Sequence, residues 1–221
     1  MPVGSIQAII FDMDGVIVDS EAYWLQSRIE FAERRGKVWS MDDQRLAMGR
    51  STVEWAHVMQ ERLALDMPLE AIMSEVIAGV NRQLGARLPV LPGAVEAVYT
   101  SASVYPVALA SGSPTSVIKE VMRLTELEQV FQCILYGDDM QRGKPDPEIY
   151  LKTAQKLGVD PAHCLGIEDS GNGLRALKAA GMYAIAVPSP GFTLSVELLE
   201  MADVVLSSLT EYSLELVHSL G

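Results

Sequence analysis

The sequence predicts an α/β fold: a doubly wound parallel sheet with an inserted α-helical domain. Three observations carry this expectation. From about residue 88 onward, short apolar runs alternate with helical stretches, the pattern of a parallel sheet covered on both faces. One strand-like run stands apart near the start of the chain. Everything between the two is helical in spacing, so a helical block interrupts the sheet after its first strand.

The first run, "IQAIIF" (6–11), reads as a short buried strand that stops at Asp12 and Asp14. "SEAYWLQSRIEFAERRG" then has helical spacing, with Ser20 as N-cap and Gly36 as the stop. "TVEWAHVMQERLAL" and "PLEAIMSEVIAGVNRQL" continue the block, the second with Pro68 near its start. The block holds all three tryptophans, Trp24, Trp39 and Trp55. The prolines of "LPVLPGAVEAV" mark its end. Residues 1–18 and 88–221 are therefore assigned to the sheet domain and 19–87 to the helical one. The later strands are "VYPVALAS", "QCILYG", "HCLGIED", "YAIAVP" and "ADVVL". Helices are expected to begin near Pro92, Pro114, Pro147, Ser170 and Thr193, with Asp146 capping the third.

Composition limits what such a protein does. With 221 residues and 49% apolar content, the chain builds a real core. A net charge of −12 argues against nucleic-acid binding, which neutralises phosphates with positive charge. No apolar run approaches membrane-span length, and no signal peptide is read at the N-terminus. Cys133 and Cys164 form no C-x-x-C and read as two buried thiols in a reducing cytoplasm. His57, His163 and His218 show no metal-ligand grouping.

Ligands of an open parallel sheet bind at the carboxyl ends of its strands. Asp12 and Asp14 stand at one such end, two residues apart on one face, while Met13 turns into the apolar layer. Glu168 and Asp169 end another strand, and Ser111 a third. Carboxylates gathered this closely need a cation or a shared proton, and an oxygen-rich, thiol-free set suits Mg²⁺. The stretch Gly171-x-Gly173-x-x-Ala176 matches a dinucleotide fingerprint, which the preceding Glu168 and Asp169 contradict because they would face a pyrophosphate.

In order, the chain carries "FDMDG", "LASGS", "GKPDP" and "GIEDSGNG", each at a strand end or helix start. This set resembles the four motifs of the haloacid dehalogenase-like phosphohydrolase superfamily, with a C1-type cap inserted into its Rossmann-like core. The resemblance covers the whole chain. It implies Asp12 as the nucleophile on phosphorus and Asp14 as general acid and base. It implies Ser111 with the Gly112 N–H and Lys144 as holders of the phosphoryl group. It implies Mg²⁺ bound by Asp12, the Asp14 carbonyl and Asp169, with Glu168 direct or through water.

The branch within the family is read from the cap. "DSEAYW" resembles phosphatases of 2-deoxyglucose 6-phosphate and hexitol phosphates, and "DMQRGKPDP" resembles 6-phosphogluconate phosphatases. Phosphoglycolate phosphatase is a weaker match. β-Phosphoglucomutases share much, but carry a histidine where this chain has Trp24, which favours hydrolysis. Glu21, Trp24, Arg50 and Trp55 are expected to face the substrate, Arg50 from the turn containing Gly49. The expected partner is a small phosphorylated metabolite, with no nucleic acid and no membrane, and the expected state is a cytoplasmic monomer.

Overall fold

The structure, a computed structural model, describes residues 6–48, 50–189 and 194–220. Gly49 and Thr193 lie outside the described residues.

Six parallel strands form the sheet: β1 (Ala8–Phe11), β2 (Val107–Ser111), β3 (Cys133–Tyr136), β4 (Cys164–Glu168), β5 (Tyr183–Ala186) and β6 (Val204–Val205). Their order is β3-β2-β1-β4-β5-β6, so β1 and β4 flank the point where the winding direction reverses. Every strand falls within its expected run and is shorter, because the flanking residues turn toward the loops.

The strands are apolar on both sides because both sides are covered. Ile9, Phe11, Leu109 and Ile167 face one layer, with α5 (Ala94–Ala102), α6 (Thr115–Thr125) and α10 (Leu214–Ser219). Ala8, Ile10, Ala110 and Ala184 face the other, with α7 (Glu148–Leu157) and α8 (Gly171–Ala179). Ile9, Ile10 and Phe11 are fully buried. Each such side chain contributes about 1.5–3 kcal/mol, which anchors the strand that carries Asp12. A short helix, α9 (Val196–Leu199), begins after the expected Thr193.

Between β1 and α5 lies the helical block: α1 (Glu21–Glu33), α2 (Met41–Ala47), α3 (Thr52–Arg62) and α4 (Leu69–Ala86). α1 packs on α4, α3 packs on α2 and α4, and α4 also rests on α6. The chain enters and leaves the block side by side. Asp19 N–H donates to Pro89 O at 2.9 Å, and Leu91 N–H to Ile17 O at 2.9 Å.

Four local readings are corrected. Ser20 is at the N-cap of α1, but its hydroxyl caps nothing and donates to Asp14 instead. α2 was not expected: a reciprocal capping box between Ser40 and Asp43 starts this seven-residue helix, which is too short to show a period. Cys133 is half-buried rather than buried, because β3 is the edge strand; Cys164 is buried as expected, and both thiols are free. Asp146 is not the N-cap: Pro147 holds that position and the helix begins at Glu148, while Asp146 Oδ1, one residue earlier, accepts from Glu148 N–H at 3.0 Å. No helix among the described residues is long and apolar enough to cross a membrane.

Candidate active site

Sheet register brings the acidic residues together. Phe11 pairs with Ile167, so one residue further Asp12 lies beside Glu168, and Asp12 N–H donates to Ile167 O at 3.1 Å. Carboxylate oxygens of Asp12, Glu168 and Asp169 all lie within 4.8 Å of one another.

Lys144 enters this cluster from the segment before α7. Its ammonium lies 2.9 Å from Asp12 Oδ1 and 2.6 Å from Glu168 Oε1, and donates to Ala110 O at 3.2 Å. Glu168 has both oxygens engaged. Oε1 accepts from Lys144 and from Tyr150 Oη, each at 2.6 Å. Oε2 accepts from the N–H groups of Asp169 and Ser170 and from Ser170 Oγ. Asp12 Oδ1, by contrast, is buried with an ion pair but no hydrogen bond.

Two glycines make this crowding feasible. Gly15 has φ +75, and a Cβ there would lie 1.8 Å from Asp169 Oδ2, so only glycine lets Asp169 close on the loop after Asp12. A Cβ on Gly173 would lie 1.8 Å from the Glu168 carboxyl carbon. The glycine pair that imitates a dinucleotide fingerprint thus makes room for a carboxylate, while Ser170 Oγ caps α8 by accepting from Gly173 N–H.

The electrostatics follow from this packing. Burial raises Asp12 to about 7, only partly offset by Lys144 and reinforced by Glu168 and Asp14. Asp12 thus departs from the ordinary aspartate value. Burial, then Glu168 and Asp12, push Asp169 well above the carboxylate range. Burial alone would also raise Glu168, but Lys144 and the hydrogen bonds outweigh it and leave it lowered. Lys144 is held well above its ordinary value because Asp12 and Glu168 overcome its own burial. Two acids that resist ionisation, with their carboxylate oxygens and one of Glu168 gathered within 4.8 Å, are a donor set that fits a hard divalent cation.

Asp14 has different surroundings. Its carboxylate accepts from Ser20 Oγ, from Ser113 Oγ at 2.6 Å and from Ser111 Oγ at 3.3 Å. Ser111 is fully buried, while Gly112 and Ser113 line the cavity above the cluster. That cavity, about 480 Å³, runs from Asp12 to the helical block, where Glu21, Trp24, Arg50 and Trp55 line it. Trp24 and Trp55 meet edge to face with centroids 6.0 Å apart. Arg50 is exposed, its Nε donating to Leu46 O at 2.6 Å. His57 and His218 are exposed and stand apart from the cluster.

Ser113, Arg28, Gln44 and Tyr150 are among the cavity and network residues that escaped the sequence reading. "LASGS" contained the signal for Ser113, and Ser40-x-x-Asp43 could have revealed the helix that carries Gln44. Arg28 has no comparable local signal.

A family profile described as haloacid dehalogenase-like hydrolase matches residues 6–181. The chain belongs to that family. Hexitol phosphatase B of Escherichia coli K12 is 34% identical over 209 residues, covering 93% of this chain and 94% of that one. A phosphorylated carbohydrates phosphatase of Thermotoga maritima is 34% identical over 181 residues, covering 81% and 84%. A solved Thermotoga maritima structure described as a candidate beta-phosphoglucomutase superposes with a TM-score of 0.72 at 32% identity, covering 91% and 94%.

Proposed function

We propose that this family member is a cytoplasmic phosphatase that hydrolyses small sugar-phosphate monoesters, of hexose or hexitol phosphate type, through an aspartyl-phosphate. Residues 1–18 and 88–221 form its catalytic domain and 19–87 its cap. The observation that carries this reading is the convergence of Asp12, Asp14, Lys144 and Asp169 on one cavity.

In this reading Asp12 attacks phosphorus and the bond to the sugar oxygen breaks. Asp14, held by three serine hydroxyls, delivers a proton to that departing oxygen. Asp14 then takes a proton from the water that attacks the aspartyl-phosphate, which regenerates Asp12 and frees inorganic phosphate. Lys144, Ser111 and the Gly112 N–H hold the phosphoryl oxygens, and Ser111 Oγ also accepts the Ser113 N–H at 3.1 Å. Asp12, Asp169 and the Asp14 carbonyl would hold Mg²⁺, with Glu168 acting through water because its oxygens are already engaged. When bound, Mg²⁺ supplies positive charge that keeps Asp12 ionised and offsets the phosphate's charge.

A panel of phosphate esters, assayed with Mg²⁺ and with EDTA, tests the proposal. Turnover that survives both EDTA and Asp12→Asn would overturn it. The likeness to the beta-phosphoglucomutase candidate keeps a second reading alive. Conversion of β-glucose 1-phosphate to glucose 6-phosphate with a bisphosphate activator, without phosphate release, would favour that one.

A further inference from the structure

We propose that Arg28 determines substrate specificity by donating its Nε–H to a hydroxyl of an uncharged polyol leaving group. This rests on the phosphatase reading above and names the chemistry at the far end of the same cavity.

Arg28 lies on α1, is only 4% exposed and lines the cavity. Its guanidinium packs against both indoles of the edge-to-face pair, 5.4 Å from the Trp24 ring centroid and 5.2 Å from that of Trp55. Nη1 donates to Gln44 Oε1 at 3.1 Å, an atom that also accepts from Trp39 Nε1 at 2.9 Å. Gln44 Nε2 donates in turn to Glu21 Oε1 at 2.6 Å. The glutamine is thus engaged at both amide atoms and fixes Arg28 and Glu21 on one wall.

Nε of this guanidinium is buried and has no hydrogen-bond partner among the described residues. A buried donor left unpaired is unfavourable, so a ligand that supplies an acceptor gains there. The neighbouring Glu21 supplies an acceptor on the same wall, and Asp14 and Asp19 also line the cavity. A carboxylate or second phosphate reaching Arg28 would meet this negative charge. A hydroxyl donates as well as accepts, so one polyol satisfies Arg28 and Glu21 together. The indole faces suit the C–H surface of such a chain. Arg50 and Arg175 are exposed at the cavity lining, where solvated charge discriminates weakly.

Three substrates separate the outcomes. Sorbitol 6-phosphate carries an uncharged polyol, 6-phosphogluconate carries a carboxylate at the far end, and acetyl phosphate carries no hydroxyl. The wild-type protein should favour sorbitol 6-phosphate over 6-phosphogluconate by at least about tenfold in kcat/KM. Arg28→Lys keeps a positive charge beside the indoles and removes the guanidinium with its Nε. It should raise KM for sorbitol 6-phosphate by roughly 10- to 100-fold with a smaller change in kcat. Its loss on acetyl phosphate should be at least about tenfold smaller. Equal losses on both substrates, or a wild-type preference for 6-phosphogluconate, would overturn the inference while leaving the phosphatase reading intact. Wild-type protein that hydrolyses none of the three with Mg²⁺ would overturn both. The wild-type comparison needs no variant, so a folding defect in Arg28→Lys cannot mask the answer.

Discussion

Tyr150 Oη donates to Glu168 Oε1 at 2.6 Å, inside a layer where both side chains are fully buried. The phenol thereby fixes the carboxylate that also receives Lys144. Tyr150→Phe removes one donor to a buried charge, a loss of about 1–3 kcal/mol. Urea denaturation should register that loss, and Mg²⁺-supported turnover should fall by roughly tenfold as the support of the site loosens. Unchanged stability would mean that the hydroxyl contributes nothing to Glu168.

Proton and metal should compete at Asp12 and Asp169. Both are raised in the fold, Asp12 to about 7, chiefly by burial. A carboxyl raised on folding destabilises the fold as pH climbs from its unfolded value through its folded one. Metal-free protein should therefore lose the Tm contribution of Asp12 between about pH 4 and pH 7, with Asp169 adding in the same direction. Added Mg²⁺ should raise Tm more at pH 8 than at pH 6. A larger Mg²⁺ shift at pH 6 would contradict the assignment.

Gly171 and Gly173 predict opposite sensitivities within one motif. An alanine Cβ at Gly173 meets the Glu168 carboxyl at 1.8 Å, with nothing flexible to yield. Gly173→Ala should destabilise the protein by about 2–3 kcal/mol or more and depress activity. At Gly171 the nearest atom is a Leu198 methyl at 2.7 Å, which can swing aside. Gly171→Ala should cost less than about 1 kcal/mol. Paired thermal denaturation curves check the contrast.

The two thiols should label in sequence. Burial, with Asp160 adding, pushes Cys164 up to about 12, so it stays protonated and unreactive at pH 8. Cys133 is also raised, by burial that Lys156 partly offsets, but it is half-buried. A disulfide exchange reagent should modify Cys133 slowly in native protein and Cys164 only after denaturant is added. Fast modification of both in the native state would contradict this packing.

The acidic end of the cavity was legible because its residues sit at strand ends, where position along the chain fixes position in space. Asp12 and Glu168 stand side by side at adjoining ends of β1 and β4 through sheet register, with Asp14 and Asp169 in the turns that follow. The cap end was legible only in part. Trp24 and Trp55 stand out by size, but α1 buries Ser27 and Arg28 beside Trp24, Phe31 and Ala32, so polarity does not mark its inner face. Gln44 rides on a helix of seven residues, too short for periodicity to reveal. Their meeting is a tertiary event with no local signature.

The paired segments at the base of the helical block carry a consequence for chain entropy. Asp19 and Pro89 are joined by one hydrogen bond, so the intervening chain is a loop whose ends are already closed. Closure entropy grows only logarithmically with loop length, about 0.6 kcal/mol per doubling. The sheet is therefore nearly indifferent to how much chain hangs from that clasp. A larger or smaller block could be exchanged there while β1, with Asp12 at its tip, keeps its place between β2 and β4.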